Sequence, residues 1–254
     1  MKKFSSLFRA PALSCVSLLF TLHFSLFTFN SNAQGLTKHG EITSTGANYI
    51  SKNGGIGGSM GIDKNGGQVT AASKIWMDRN LGATQVATSS TDAASYGDLY
   101  QWGRGTDGHQ IRTSTAISTL SSNDAPGHAS FIKASASPYD WRSGQNANLW
   151  QGVNGVNNPC PADYRIPTET ELNVERLSWA SNNAAGAFAS PLKLPMAGLR
   201  LNQGTVISAG TAGEYWSSTV SGTNTYRLTF DSSSASISPY YRANGFSVRC
   251  IKDE

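Results

Sequence analysis

The sequence predicts an α+β domain, and three observations carry that expectation. Arg165-Ile166-Pro167-Thr168-Glu169-Thr170-Glu171 places a capping box, Thr168 with Glu171, at the mouth of a helix. Tyr226, Leu228 and Phe230 alternate with Arg227 and Thr229, as a half-buried antiparallel strand should. The strand-like text begins beyond the helix and runs to a closing stretch at 246–252, with turn residues between its segments.

In chain order, residues 1–33 read as a signal peptide. Met1 to Arg9 is basic, residues 12–29 are largely apolar, and small residues at Ser31 and Ala33 suit cleavage before Gln34. An uncleaved anchor is the alternative. Ser14, Ser17, Thr21, His23 and Ser25 interrupt the apolar run and make it a poor bilayer span. Cys15 lies inside that run after Leu13-Ser14, an unsuitable place for a lipoprotein cysteine. The expected location is therefore secreted or cell surface, with no stable membrane span after cleavage.

The pI of about 9.0 overstates the mature charge. Of 20 bases, Lys2, Lys3 and Arg9 leave with the leader, so 17 face 16 acids, a balance of +1. That gives no electrostatic case for nucleic acid or an anionic membrane surface. Cleavage also removes Cys15 and leaves Cys160 and Cys250. An even pair in an exported chain suggests one disulfide, two buried free thiols being the alternative. The bridge would close a loop of about ninety residues and contribute roughly 4–5 kcal/mol in the chain-entropy picture.

Residues 34–72 form a glycine-rich arm or short hairpins, with turn signals at Asn53-Gly54 and Asn65-Gly66. Gly54-Gly55-Ile56-Gly57-Gly58 lacks the Lys-Ser/Thr ending of a phosphate loop, and no apolar strand precedes it. The main domain is expected over 73–254, opening with a short strand at Lys74-Ile75-Trp76-Met77. Residues 96–104 read as a short helix or turn whose Tyr96, Leu99, Tyr100 and Trp102 enter the core. Residues 106–157 are polar loop, a length that implies function or packing over a sheet. The capped helix is expected over 169–180, with Leu172, Val174, Leu177 and Trp179 as its apolar content. Strands then follow at 192–201, 205–208, 214–220 and 225–230, before the last at 246–252.

Six blocks in order carry a resemblance. They are Ile75-Trp76-Met77-Asp78-Arg79-Asn80-Leu81-Gly82-Ala83, Gly97-Asp98-Leu99-Tyr100-Gln101-Trp102-Gly103-Arg104, Asn158-Pro159-Cys160-Pro161 with Tyr164-Arg165-Ile166-Pro167-Thr168, Leu194-Pro195-Met196-Ala197-Gly198-Leu199-Arg200, Gly213-Glu214-Tyr215-Trp216-Ser217-Ser218, and Ser247-Val248-Arg249-Cys250. Over roughly 73–254 the chain resembles the Fibrobacter succinogenes major paralogous domain of exported bacterial proteins. Arg165 to Leu172 is also similar to a helix opening in formylglycine-generating-type proteins. The resemblance implies a C-type-lectin-like fold with one or two helices, a small antiparallel sheet, long loops and neighbouring termini. It implies no established activity. Adhesion or ligand binding is the usual expectation for the family. The Glu-Pro-Asn or Gln-Pro-Asp and Trp-Asn-Asp triplets of calcium-dependent sugar lectins are missing from this sequence. Cys160 and Cys250 also do not stand where the reactive pair of formylglycine-generating enzymes would.

Catalytic motifs fail one by one. His39, His109 and His128 lack ligand spacing, and solvated loop histidines are the favoured reading over a metal site of His109 and His128 with Asp107 or Asp124. Gly57-Gly58-Ser59-Met60-Gly61 spells G-x-S-x-G but precedes no helical pattern, which a nucleophile elbow needs. Glu169, Glu171, Asp140, Glu214 and Asp231 offer carboxylates without a pairing pattern, and Glu171 is explained by the cap. No enzyme activity, cofactor or metal is expected.

Aromatic residues on loops are the better lead. Tyr139, Trp141 and Trp150 fall in the long loop region, and Tyr240 and Tyr241 precede the last strand. Burial is the competing reading for Trp141 and Trp150, and at most one of Tyr240 and Tyr241 should be buried. The expected function is a binding or adhesion module that meets a glycan or a surface protein through loops 105–157 and 232–245. A structural subunit of a surface fibre is the alternative, and an enzyme with unrecognised groups the second alternative.

Overall fold

The computed structural model describes residues 67–254, and the leader, the glycine-rich arm, Cys15 and His39 lie outside the described residues. Among the described residues the architecture is α+β: two short α-helices and several small, mostly antiparallel sheets. Among the described residues no helix is long and apolar enough to cross a membrane.

The first sheet opens with a hairpin, β1 (Gln68–Ala71) and β2 (Lys74–Met77). Ala72 and Ser73 turn it with positive φ, 46° and 61°. That geometry is normally signalled by Asn-Gly, so the sequence conceals the turn and the sheet starts before residue 73. Residues 96–104 are not helical. A 3-10 turn at Ala93–Ser95 precedes them, and Tyr100–Gln101 is a strand, β3. The two-residue strands β4 (Ala116–Ile117) and β5 (Phe131–Ile132) pair in parallel within the long loop region.

Next come β6 (Tyr164–Arg165) and α1 (Glu169–Leu177). Thr168 caps α1: its hydroxyl accepts the Glu171 N–H, and Glu171 Oε2 accepts the Thr168 N–H at 2.8 Å. Arg165 adds two bonds to the Glu171 carboxylate, each 2.8 Å, and a third to Asp253. The helix stops at Leu177, short of residue 180, with Ser178 as its C-cap. Its inward residues also differ from expectation. Leu172 and Glu175 are buried, while Val174 and Leu177 are exposed. Glu175 is drawn inward because its Oε1 accepts the Trp179 indole N–H at 3.1 Å. A second helix, α2 (Ala184–Ala189), is capped by the Asn183 side chain.

Most of 192–201 is irregular rather than a strand. Only β7 (Leu199–Arg200) forms a strand there, and it pairs with β8 (Val206–Ile207) across the Asn202-Gln203-Gly204 turn. The longest strands, β9 (Ala212–Ser221) and β10 (Asn224–Asp231), form a hairpin closed by Gly222-Thr223. Gly222 supplies the positive φ of 58° that such a two-residue turn requires. Ala235–Tyr240 is a strand too, β11, where a loop was expected. The single strand expected at 246–252 is two, β12 (Gly245–Phe246) and β13 (Ile251–Lys252), and they serve different sheets.

The sheet orders are β1-β2-β13-β6, β3-β12-β7-β8 and β11-β10-β9. Residues 247–250 thread between them: Ser247 O accepts from Trp216, Val248 O from Leu81 and Cys250 O from Met77. A disulfide joins Cys250 to Cys160, with 5.9 Å between Cα atoms. One apolar core gathers Trp102, Trp141, Trp150, Trp216, Phe246 and Val248. The other lies beneath the helices, around Trp76, Leu172, Trp179, Tyr215, Leu228 and Phe230.

Candidate functional site

The five aromatic candidates separate into two groups. Trp141 and Trp150 are core residues, 1% and 0% exposed, and neither is a ligand platform. Each indole N–H is spent on main chain: Trp141 donates to Trp102 O at 2.7 Å, and Trp150 to Asn157 O at 3.0 Å. These bonds fasten the long loop region to the core. Asn157 continues the fastening, donating to Gly103 O and Asp124 O.

Tyr139, Tyr240 and Tyr241 form one surface cluster. The rings of Tyr139 and Tyr241 are 4.4 Å apart between centroids, and those of Tyr240 and Tyr241 are 5.2 Å apart. Tyr139 and Tyr240 are half-buried and Tyr241 is exposed. Tyr240 and Tyr241 do not diverge, because β11 ends at Tyr240 and the alternation of a strand no longer governs residue 241. Tyr139 reaches the cluster through a positive φ of 57°. None of the three hydroxyls has a partner among the described residues. By contrast, the hydroxyls of Tyr96, Tyr100 and Tyr215 are bonded to Thr91, Thr106 and Pro195 respectively.

Tyr240 connects this cluster to the polar face of the three-stranded sheet. Its ring packs on Phe246 with centroids 5.8 Å apart, and the Arg227 guanidinium carbon lies 4.3 Å from its centroid. Arg227 Nε is 2.7 Å from Glu214 Oε2, an ion contact off the hydrogen-bond line. The Thr229 hydroxyl donates to Glu214 Oε1 at 2.9 Å. Burial pushes the Glu214 carboxyl up to about 7, against the pull of Arg227 and of Thr229. Sequence reading missed Arg227. Its one signal was the polar side of the 225–230 alternation, which does not show what stands opposite on the next strand.

The remaining chemistry candidates are structural. His109 is fully buried: Nδ1 lies 2.5 Å from Asp107 Oδ1, and Nε2 accepts the Gln101 backbone N–H at 3.0 Å. Both ring nitrogens are committed, so this Asp–His pair has no face for a metal or a substrate proton. Burial pushes the imidazole down to about 4, and Asp107 is held down at about 2 by His109 and Arg104 against its own burial. Asp124 is instead bonded to Arg142 and Asn146, and His128 Nδ1 accepts the Ser130 N–H. Among the described residues no group of three potential ligands could hold a metal ion. Asp231 accepts bonds from Ser233 and Ser234 in a turn, as its position at a strand end implies. Asp140 is buried beside Arg242, and its burial raises its pKa. Glu169 shares the first turn of α1 with Glu171.

Residues 164–251 match the model of a family described as a domain of unknown function, DUF8237. The matched segment includes Glu214, Arg227, Tyr240 and Tyr241 and excludes Tyr139. No curated protein and no solved structure matches the chain.

Proposed function

We propose that this chain is an exported binding module that holds a glycan at the Tyr139–Tyr241–Tyr240 surface. The observation that carries the reading is the contrast within the tyrosines. Tyr241 packs on both Tyr139 and Tyr240 at the surface, and none of the three hydroxyls has a partner among the described residues, while the hydroxyls of Tyr96, Tyr100 and Tyr215 are bonded within the fold. Such rings offer apolar area and hydrogen bonds at small entropic cost, which suits hydroxyl-rich ligands. The loop of Tyr139 is held by the buried Trp141 indole, Tyr240 ends strand β11, and Ala243 N–H donates to Tyr139 O, so the surface is set before a ligand arrives.

The reading includes a C-type-lectin-like fold of the Fibrobacter succinogenes major paralogous type. It is supported by the sharing of one sheet between the first strands and the last, and by the loop-rich middle of the domain. Export is supported by the leader-like residues 1–33. A fibre subunit that recruits a neighbouring strand is less well supported. The edge strand β11 carries Pro239, which has no N–H to offer a further strand.

Replacing Tyr139, Tyr240 and Tyr241 singly by Ala tests the reading on a glycan array. Loss of retention by at least about tenfold is expected in variants that unfold at the wild-type temperature. Unchanged retention in all three would refute this surface.

A further inference from the structure

The three-stranded sheet has a polar face that the tyrosine cluster only borders. Cross-strand register sets Thr229 opposite Glu214 and Ser236, and Arg227 opposite Trp216 and Ser238. Residues directly opposite share a face, so Glu214, Arg227, Thr229, Ser236, Ser238 and Tyr240 lie on one side with the buried Trp216, which forms the floor of that side against Phe246. Arg227 is held there from three directions. Nε meets Glu214, one terminal nitrogen donates to the Ser238 hydroxyl at 2.6 Å, and the guanidinium lies over the Tyr240 ring. The other terminal nitrogen has no partner among the described residues, and 13% of the side chain remains exposed.

We propose that Arg227 reads a carboxylate on the ligand, so that the glycan bound at the tyrosine surface is an acidic polysaccharide built from uronic acids. The inference rests on the tyrosine-surface reading and names its ligand class. A guanidinium fixed by a carboxylate, a hydroxyl and a ring loses little freedom when it binds, and its planar donors match a carboxylate. An open N–H of such a group would be satisfied by any hydroxyl, but the charge would not. Glu214 does not cancel that charge fully near neutrality, because burial favours its protonated form. A sugar ring carrying the carboxylate would then lie toward Tyr240 and Tyr241, whose hydroxyls, without partners among the described residues, suit its ring oxygens and hydroxyls.

The test uses the mature protein with polygalacturonate, alginate and hyaluronan, each beside its carboxyl-reduced form. At least one acidic polymer should bind about tenfold more tightly than its reduced form, and that margin should shrink with added salt. Arg227→Gln should erase the margin, lowering acidic binding at least several-fold more than binding of the reduced polymer. Glu214→Gln, which removes the competing carboxylate, should tighten acidic binding several-fold. Equal binding of acidic and reduced forms through Tyr241 overturns the carboxylate inference and leaves the tyrosine surface standing. Failure to bind any polymer in the panel, acidic or neutral, overturns both. If Arg227→Gln does not fold, the wild-type acid-to-reduced ratio and its salt dependence decide alone.

Discussion

His109 Nδ1 stands 2.5 Å from Asp107 Oδ1, while its opposite nitrogen accepts the Gln101 backbone N–H. Protonating the imidazole would break the second bond, and burial already holds its pKa near 4 against an ordinary 6.5. The unfolded chain therefore takes up this proton first, and His109 costs stability as pH falls from 6.5 toward 4. Glu214 works in the other sense. Its folded pKa of about 7 exceeds the ordinary 4.5, so its stabilising proton is fully bound at low pH and lost as pH rises through 7. The two slopes oppose each other across the same window, and the wild type should show a shallow profile there. His109→Gln should gain stability as pH falls from 6.5 to 4.5, and Glu214→Gln should lose it, each by up to about 3 kcal/mol relative to wild type. Urea titrations at stepped pH measure this. Parallel profiles for the three proteins would show that neither group titrates as described.

Reduction of the Cys160–Cys250 bridge should destabilise the domain by roughly 4–5 kcal/mol, given the 90-residue separation it spans. For a domain of this size that is a fall in Tm of about 10 °C or more. Calorimetry with and without reductant checks it. An unchanged transition would mean that the bridge constrains little in the unfolded chain.

Trp141→Ala should cost about 3–5 kcal/mol, since it empties a fully buried indole site and removes the bond to Trp102 O. Any loss of ligand retention in that variant should follow its unfolded fraction. Tyr241→Ala, at an exposed ring, should shift the unfolding free energy by less than about 1 kcal/mol while retention falls. Thermal melts run beside the binding assay separate the two effects.

Gly186 reverses an ordinary expectation. A glycine-to-alanine change within a helix usually gains close to 1 kcal/mol. Here a Cβ at residue 186 would lie 1.8 Å from the Ser181 carbonyl oxygen, so the turn leading into α2 would have to move. Gly186→Ala should therefore lower the urea midpoint, and a raised midpoint would show that this turn yields freely.

The parts of the fold legible in the sequence are those written in local spacing. Thr168 and Glu171 are one helical turn apart, and the cap forms between them. Residues 225–230 alternate, and their hairpin with β9 is the longest pairing in the domain. Other parts depend on partners remote in sequence. β11 was hidden because its Ser236, Ser238 and Pro239 lie on an outer strand with water beside it, where apolar alternation is not needed. The break between β12 and β13 depends on three different neighbours claiming Ser247, Val248 and Cys250 in turn. At the candidate site, Tyr240 and Tyr241 were visible as neighbours on the chain. Their contact with Tyr139, about a hundred residues away, and the Arg227 guanidinium over Tyr240 exist only after the sheet has closed.

The bridge between Cys160 and Cys250 also fixes how the molecule would respond to a pull on its ends. The chain between the two cysteines holds both helices and strands β6 to β12, including the sheet that carries Arg227 and Tyr240. With the bridge intact, that segment cannot be drawn out, and roughly 300 Å of contour stays folded away at about 3.3–3.6 Å per residue. Tension would first open the segments outside the loop, Tyr139 among them, while Tyr240 and Tyr241 would sit behind a covalent stop.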